Sequence, residues 1–425
     1  MKKKKAPLVR RMKEFVKTSV VWGPLDHNLF FTIIFLNVYG IIMVYSASYN
    51  NSITKNYSYF MNNQLKNVIF GFVIMIVASY VNYHRIVRLG WGWFWLLAAV
   101  AIIAALKTPL AHSELGATRW IKLGPVSFQA AEPIKAAIII FFAYYVSYWG
   151  LNRWYNQLLA CLLAIALLGF LFFFSNNLST VIVLFCICAV IILSSVKKPD
   201  LYWYFLLGLA LIIIAAIGVT IYLLMHQGAE NFRFVRIRAW LHPEEYAADE
   251  GLQAMQARYA IGAGGFWGKG LGQSLIKFKL SYSYNDFILA IICEELGVFG
   301  VIVMMTLFGY LLYRIYKIAQ NAWDIEGKVL AIGVFTQIAL QLLINVMVVT
   351  SVIPTTGVTL PFFSAGGTSV VFLLAELGMV LNVDKYAKER RFFEEAERHV
   401  AQMEQRGGIG AAGWRRRLDS ARTRR

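Results

Sequence analysis

Ten stretches of about twenty residues, each nearly free of charge, decide what this chain can fold into, because that is the length of helix that spans a hydrocarbon core. They run over Asn28–Tyr49, Gln64–Val81, Leu89–Leu106, Ala130–Ser147, Leu158–Phe174, Leu178–Ser195, Tyr202–Met225, Asp286–Tyr313 and Val329–Val349, with a tenth ending near Val383. In lipid every backbone group must be bonded internally, which leaves helices or a closed barrel. A barrel needs short segments of alternating polarity, and none is found. The expected fold is an all-α polytopic membrane protein of about ten transmembrane helices, with a large extracytoplasmic loop between helices 7 and 8. Residues 1–27 form a basic lead, 28–384 one membrane domain containing the loop at 227–285, and 385–425 a basic tail.

Composition agrees: 59% of the 425 residues are hydrophobic and 15% charged. The mean hydropathy is +0.58. A net charge of +18 would suit nucleic acid on a soluble face, but here the charge is sorted along the chain. Eight Lys and Arg precede Asp26 and twelve follow Asp384. Others fall in alternate short connections, at Arg85 and Arg88, Arg153, Lys197 and Lys198, and Arg314, Lys317 and Lys328. This positive-inside pattern places both termini in the cytoplasm of a multi-pass protein and argues against a nucleic-acid partner. The basic ends are also suited to anionic headgroups.

Cys161, Cys186, Cys188 and Cys293 all fall inside apolar runs and read as small apolar fillers. The six histidines show no ligand spacing, so no zinc site is expected. The first run lacks a small-x-small exit and reads as a retained helix rather than a cleaved signal. No P-loop, dinucleotide fingerprint, metalloprotease or nucleophile-elbow motif is present.

Two outer connections carry chemistry. In Lys107–Gln129, GATRWIKLGPVSFQ has glycines and Pro125 that argue for a turn-rich re-entrant or surface structure, where Arg119 and Trp120 suit headgroup-level contact. The run that follows opens with Glu132 and Lys135, three residues apart on one helix face and able to pair. The second, Gln227–Asn285, is too long for a bland linker. It carries Arg233, Arg236, Arg238, Arg258, Lys269, Lys277 and Lys279 on the side that the topological bias disfavours, so these cations call for a functional cause. Its GLQAMQARYAIGAGGFWGKGLG reads as a short amphipathic helix followed by a glycine-rich turn segment.

Asp286 opens the eighth run and has two readings. One is a helix cap worth about 1 kcal/mol. The other is a general base at the outer face, where partial desolvation raises a carboxylate toward a useful pKa. On a helical wheel Ala290, Cys293, Glu294 and Gly297 share its face, so Glu294 lines the same cavity or serves as a structural partner, and Glu295 points away. Facing a carboxylate at a membrane surface, the basic loop fits a lipid-linked diphosphate, whose departing charge needs several donors; lipid phosphates would meet the same cations. Glu132 and Lys135 read as a structural intramembrane pair, with substrate binding the lesser role. The small residues of YSAS (Tyr45–Ser48) and SAGGTS (Ser364–Ser369) read as close packing.

Taken together, several segments resemble the SEDS family (shape, elongation, division and sporulation), the RodA/FtsW/SpoVE type of peptidoglycan glycosyltransferase. They are YSAS, GATRWIKLGPVSFQ with Glu132 and Lys135, RFVRIRAWLHPEE, IGAGGFWGKGLGQS, NDFILAIICEELGVFG, QLLIN (Gln341–Asn345) and PTTGVTLPFFSAGGTS, in the family's order from Tyr45 to Ser369. LGQS-x-x-K (Leu271–Lys277) and PTTGVTLPF resemble the FtsW/SpoVE branch more than RodA. The resemblance implies polymerisation of lipid II into glycan strands at the bacterial cytoplasmic membrane, for division or sporulation. It makes Asp286 the catalytic residue, deprotonating the acceptor sugar's 4-hydroxyl. Arg233, Arg236 and Lys269 become candidates for holding the diphosphate, with Arg119, Trp120 and Lys277 as further substrate contacts. No cofactor is certain, although a divalent cation (Mg or Mn) could share the diphosphate's charge. The implied partners are undecaprenyl-linked glycan, a class B penicillin-binding transpeptidase docked near runs eight and nine, and divisome-type proteins.

The chain departs from the family pattern at SNNLST (Ser175–Thr180), where Asn177 replaces a frequent acid, and at LSYSYND, where Tyr284 replaces His. Ala130-Ala131 replaces Pro-Ser before Glu132, and Pro133 follows it in a first turn that tolerates proline. Two other functions use the same residues: a lipid II flippase with the charged residues as its path, and a non-catalytic scaffold for the transpeptidase.

Overall fold

The computed structural model describes residues 21, 23–48, 59–114, 117–123, 126–175, 177–196, 232–241, 243–245, 250–278, 285–365, 367–405 and 414–415. The seventh apolar run lies outside the described residues, as do parts of the long loop. The helices are α1 (His27–Ser48), α2 (Tyr59–Tyr80), α3 (Tyr83–Val87), α4 (Trp93–Ala105), α5 (Ala131–Trp149), α6 (Trp154–Ser175), α7 (Leu178–Ser195), α8 (Phe232–Leu241), α9 (Glu250–Gly264), α10 (Ile288–Gln320), α11 (Ile325–Val349) and α12 (Thr368–Gln405). By length and composition α1, α2, α6, α7, α10 and α11 are able to cross a membrane, and α4 is a shorter apolar helix.

The all-α expectation needs one correction. Ala111–Gln129 forms a three-stranded antiparallel sheet, β1 (Ala111–Glu114), β2 (Ala117–Leu123) and β3 (Val126–Gln129). Trp120 lies opposite Gln129 and Ile121 opposite Phe128. The cause is local: Gly116, Gly124 and Pro125, which fall between the strands in sequence, disfavour helix. In β2 buried Ile121 is followed by exposed Lys122, the period-two alternation of a strand. Helix ends also move. The second helix begins at Tyr59 rather than Gln64, because Asn62 and Asn63 continue the helix beyond the apolar window. The last run and the tail are one continuous helix, Thr368–Gln405.

α5 is the centre of the bundle. Ile134 and Ala137 through Val146 are buried, and α4, α7, α11 and α12 pack against it. A helix apolar on every side is one that protein surrounds, which is how it tolerates Glu132 and Lys135 near its start. α12 lies along α2, and α10 packs against α1, α9 and α11.

Opposite the sheet, a polar cluster pins α3 to the start of α11. Asp324 caps α11, accepting Gly327 N–H at 2.8 Å, and also accepts Tyr83 O–H at 2.6 Å and faces His84 Nε2 at 2.8 Å. Arg88 and Ser147 converge on Glu326 at 2.8 and 2.9 Å. Burial works to raise the Asp324 carboxyl, but His84, the Gly327 amide and Tyr83 outweigh it and hold it below the ordinary value. A carboxyl depressed in the folded state contributes stability that is present above its unfolded pKa, about 3.9, and lost as pH falls through the folded value. Asp324→Ala should lower stability by about 1–2 kcal/mol at neutral pH. In thermal melts of detergent-solubilised protein, the gap from wild type should narrow below about pH 4.

Candidate active site

The sheet delivers its end directly into a polar cleft. β3 ends at Gln129, one turn residue leads into α5, and Gln129, Glu132 and Lys135 line one wall. Asn177 and Thr180 from the start of α7, Gln341 of α11 and the Gly357–Thr359 loop close the rest, around a space of about 350 Å³ that is partly open. Glu132 and Lys135 form an ion pair of 2.9 Å, both almost fully buried. Asn177 takes the N-cap of α7, accepting Thr180 N–H. A further acid, Glu376 of α12, is fully buried and accepts Gln337 Nε2–H at 2.7 Å. Sequence reasoning passed over it, although an acid within a long apolar run is a signal in itself.

Asp286 stands in the Asn285–Phe287 turn before α10, half-buried. The residue at the N-cap of α10 is Phe287, whose side chain makes no capping bond, so Asp286 sits one residue ahead of the position that the cap reading gave it. The turn is gripped by two distant side chains. Ser364 Oγ donates to the Asn285 carbonyl at 2.8 Å and accepts Leu360 N–H at 2.7 Å. Asn345 Nδ2 donates to the Asp286 carbonyl and to the Val358 carbonyl, each at 3.0 Å. Val358 also lines the cleft, and Gln341 lies one helical turn from Asn345, so one side chain couples the Asp286 turn to the cleft wall. Asn345→Ala would leave two partly buried carbonyls without this donor. It should cost about 1–3 kcal/mol in thermal stability and lower turnover further by releasing Asp286 from its position.

The glycine-rich loop is seated on α10. Gly297, at φ +65° and ψ −163°, breaks that helix, and the loop backbone pairs across the break. Lys269 N–H and Gly270 N–H donate to the Glu294 and Glu295 carbonyls, and Val298 N–H and Phe299 N–H donate to Gly265 and Phe266. The acidic side chains follow. Glu294, wholly buried, accepts Lys269 Nζ at 2.7 Å, Ser274 Oγ, and the amides of Leu275 and Ile276. Glu295, equally buried, accepts Ser46 Oγ at 2.7 Å and lies 3.6 Å from Lys277 Nζ. The wheel divides the two acids between faces, and each has its own side-chain partners on a half-helix whose acids are both buried. Ser46 of YSAS is therefore a ligand to Glu295 as well as a packing residue.

Of the sequence-predicted cations, Lys269 is a third exposed and Lys277 almost fully buried, both against glutamates. Arg236 is half-buried on α8, which Trp240 docks onto the Ser351 carbonyl at 2.9 Å. Trp120 is half-buried in β2, beside Arg119 in sequence. The side chains of Arg119 and Arg233 lie outside the described residues.

Comparison with known proteins bears on this geometry. The FTSW_RODA_SPOVE family model, described as "Cell cycle protein", matches residues 26–389. The chain is 32% identical over 393 residues to "Probable peptidoglycan glycosyltransferase FtsW" of Trichlorobacter lovleyi, covering 88% of this chain and 96% of that one. It is 33% identical over 372 residues to "Stage V sporulation protein E" of Bacillus subtilis, covering 84% and 96%. Among solved structures, a chain from "Structural coordination of polymerization and crosslinking by a peptidoglycan synthase complex" superposes with a TM-score of 0.71 at 22% identity, over 86% of this chain and 99% of that one. Rod shape determining protein RodA of Thermus thermophilus gives 0.61 at 22%, over 86% and 98%. At that identity the structures speak for the fold alone.

Proposed function

Since the chain belongs to the FtsW, RodA and SpoVE family of cell cycle proteins, we propose that it is a peptidoglycan glycosyltransferase that polymerises lipid II at the outer face of the cytoplasmic membrane. The observation that carries this reading is the Asp286 turn, held by Asn345 and Ser364 beside a polar cleft. Asp286 takes the proton from the acceptor's sugar 4-hydroxyl as that oxygen attacks the anomeric carbon of the growing strand. Undecaprenyl diphosphate leaves from the opposite face, and the anomeric centre inverts. Arg233, Arg236 and Lys269 stabilise the departing diphosphate, with Arg119 and Trp120 in supporting contact; Lys277, buried beside Glu295 and bonded to the Gly272 carbonyl, holds the loop that carries Lys269 instead. Lys269 reaches the diphosphate while anchored on Glu294. A divalent cation, Mg or Mn, is a further candidate for that charge. Among the described residues no three His, Cys, Asp or Glu side chains gather to hold one.

Ten spans with both termini cytoplasmic complete the proposal. Among the described residues six helices of spanning length and apolarity support it, with α4, α5 and the first half of α12 as three more and the 202–225 run, read from its sequence alone, as the tenth. α5 falls short on apolarity because it carries Glu132 and Lys135, and α12 because its apolar half carries Glu376 and runs into Asp384 and Lys385. The partner is a class B penicillin-binding transpeptidase docked near α10, α11 and the outer loops, within a division-type assembly. The test is polymerisation of purified lipid II by the purified chain with its transpeptidase. Glycan strands support the reading. Lipid II crossing a vesicle membrane with no polymer formed would replace it with the flippase.

A further inference from the structure

The segment that seats in the break of α10 carries an apolar surface that the chemistry does not use. Trp267 is 74% exposed, Leu275 64%, Phe266 54% and Leu271 53%, all within one glycine-rich stretch. Side chains of this size left in water are costly, and a contiguous group of them marks a surface that something covers.

What covers it follows from α10. Before Gly297, residues Ile288–Ile292 are all buried. After it the helix divides: Met304, Phe308, Leu311 and Ile315 face protein, whereas Val298, Phe299, Ile302 and Val303 are exposed on a helix able to cross a membrane. The exposed face closes with Tyr310, Tyr313 and Tyr316, and Lys317 stands over the Tyr313 ring, the composition of an interfacial belt. From Val298 to Tyr316 is about 27 Å of helix, close to the roughly 30 Å of a hydrocarbon core. The other boundary of that core therefore falls at Val298–Phe299, where the backbone amides bond Gly265 and Phe266. Trp267 packs on Phe299 with ring centroids 5.7 Å apart, continuing the lipid-facing surface of α10 onto the loop. Leu271 follows directly on Gly270, which is tied to Glu295, and Leu275 is tied to Glu294, within about a turn of the same level.

We propose that Phe266, Trp267, Leu271 and Leu275 form an interfacial wedge embedded at the headgroup and acyl boundary on the Asp286 side of the bilayer. Helix ends ordinarily supply their own aromatic belt. Here the half-helix before Gly297 has no fully exposed side chain, only Cys293 and Leu296 being partly uncovered, and the loop supplies the belt in its place. Lys269, between the apolar residues, turns back onto Glu294 rather than into lipid. The inference stands apart from the chemistry assigned to Asp286.

The test is site-directed spin labelling of the full chain in nanodiscs of phosphatidylethanolamine and phosphatidylglycerol, alone and with its transpeptidase bound. Nitroxides go on Trp267→Cys and Leu271→Cys, with Ile302→Cys as the lipid reference and Gln273→Cys as the aqueous one; unsubstituted protein gives the background of the native cysteines. Collision with oxygen relative to a nickel chelate should be clearly above Gln273 at both wedge positions and should approach Ile302 without exceeding it, because Ile302 lies about 6 Å deeper along α10. Ratios at the Gln273 level at both positions overturn the proposal. So does shielding from both reagents in the complex, which would make the patch a protein-docking face.

Discussion

Replacing Asp286 by Asn is expected to lower glycan polymerisation by about 10²–10⁴-fold, the contribution typical of a positioned general base. The substitution keeps size and polarity while removing the negative charge and with it the capacity to accept a proton. Both main-chain carbonyls of the turn would keep their bonds to Ser364 and Asn345, so folding and partner binding should persist. The measurement is strand synthesis from lipid II by wild type and variant, each copurified with the transpeptidase, alongside a thermal melt. Undiminished synthesis with an unchanged melt would remove Asp286 as the base and leave the family assignment standing.

Gly297→Ala is expected to have the largest effect on stability. A β-carbon there would lie 2.4 Å from the Gly268 nitrogen and from the Phe266 oxygen, both main-chain atoms that no side-chain rotation relieves. Its φ of +65° with ψ of −163° is also a conformation essentially confined to glycine. Strain of about 1–3 kcal/mol adds to the backbone clash, and the loop that pairs across the break should detach. Gly309→Ala, twelve residues along the same helix, has nothing within 4 Å of the added carbon. It should be neutral or stabilising by up to about 1 kcal/mol. Comparing the yield and melting temperature of folded protein for the two variants checks both. Equal behaviour would mean that the break contributes nothing to the fold.

The membrane architecture was legible because hydrophobic length is a local property, read by counting. The sheet at Ala111–Gln129 was written in alternation too short to stand out beside twenty-residue runs, so only its turn residues were noticed. At the site, Asp286, Asn345 and Ser364 could each be quoted from motifs, but their meeting is tertiary: 59 residues separate Asp286 from Asn345 and 79 separate Asn285 from Ser364. The wheel separates Glu294 from Glu295 but cannot name what each meets: Lys269 and Ser274 for the first, Ser46 and Lys277 for the second, all distant in sequence.

The amide of Asn345 has a consequence for any related chain. A single nitrogen carries two hydrogens and sends one to each strand of backbone, like a two-pronged fork. Aspartate would aim a negative oxygen at the same carbonyls, leucine offers no hydrogen, and glutamine is a methylene too long. Wherever this turn and this loop are brought together in the same way, asparagine is the residue to expect at that place, and a chain lacking it must hold its acid by some other means.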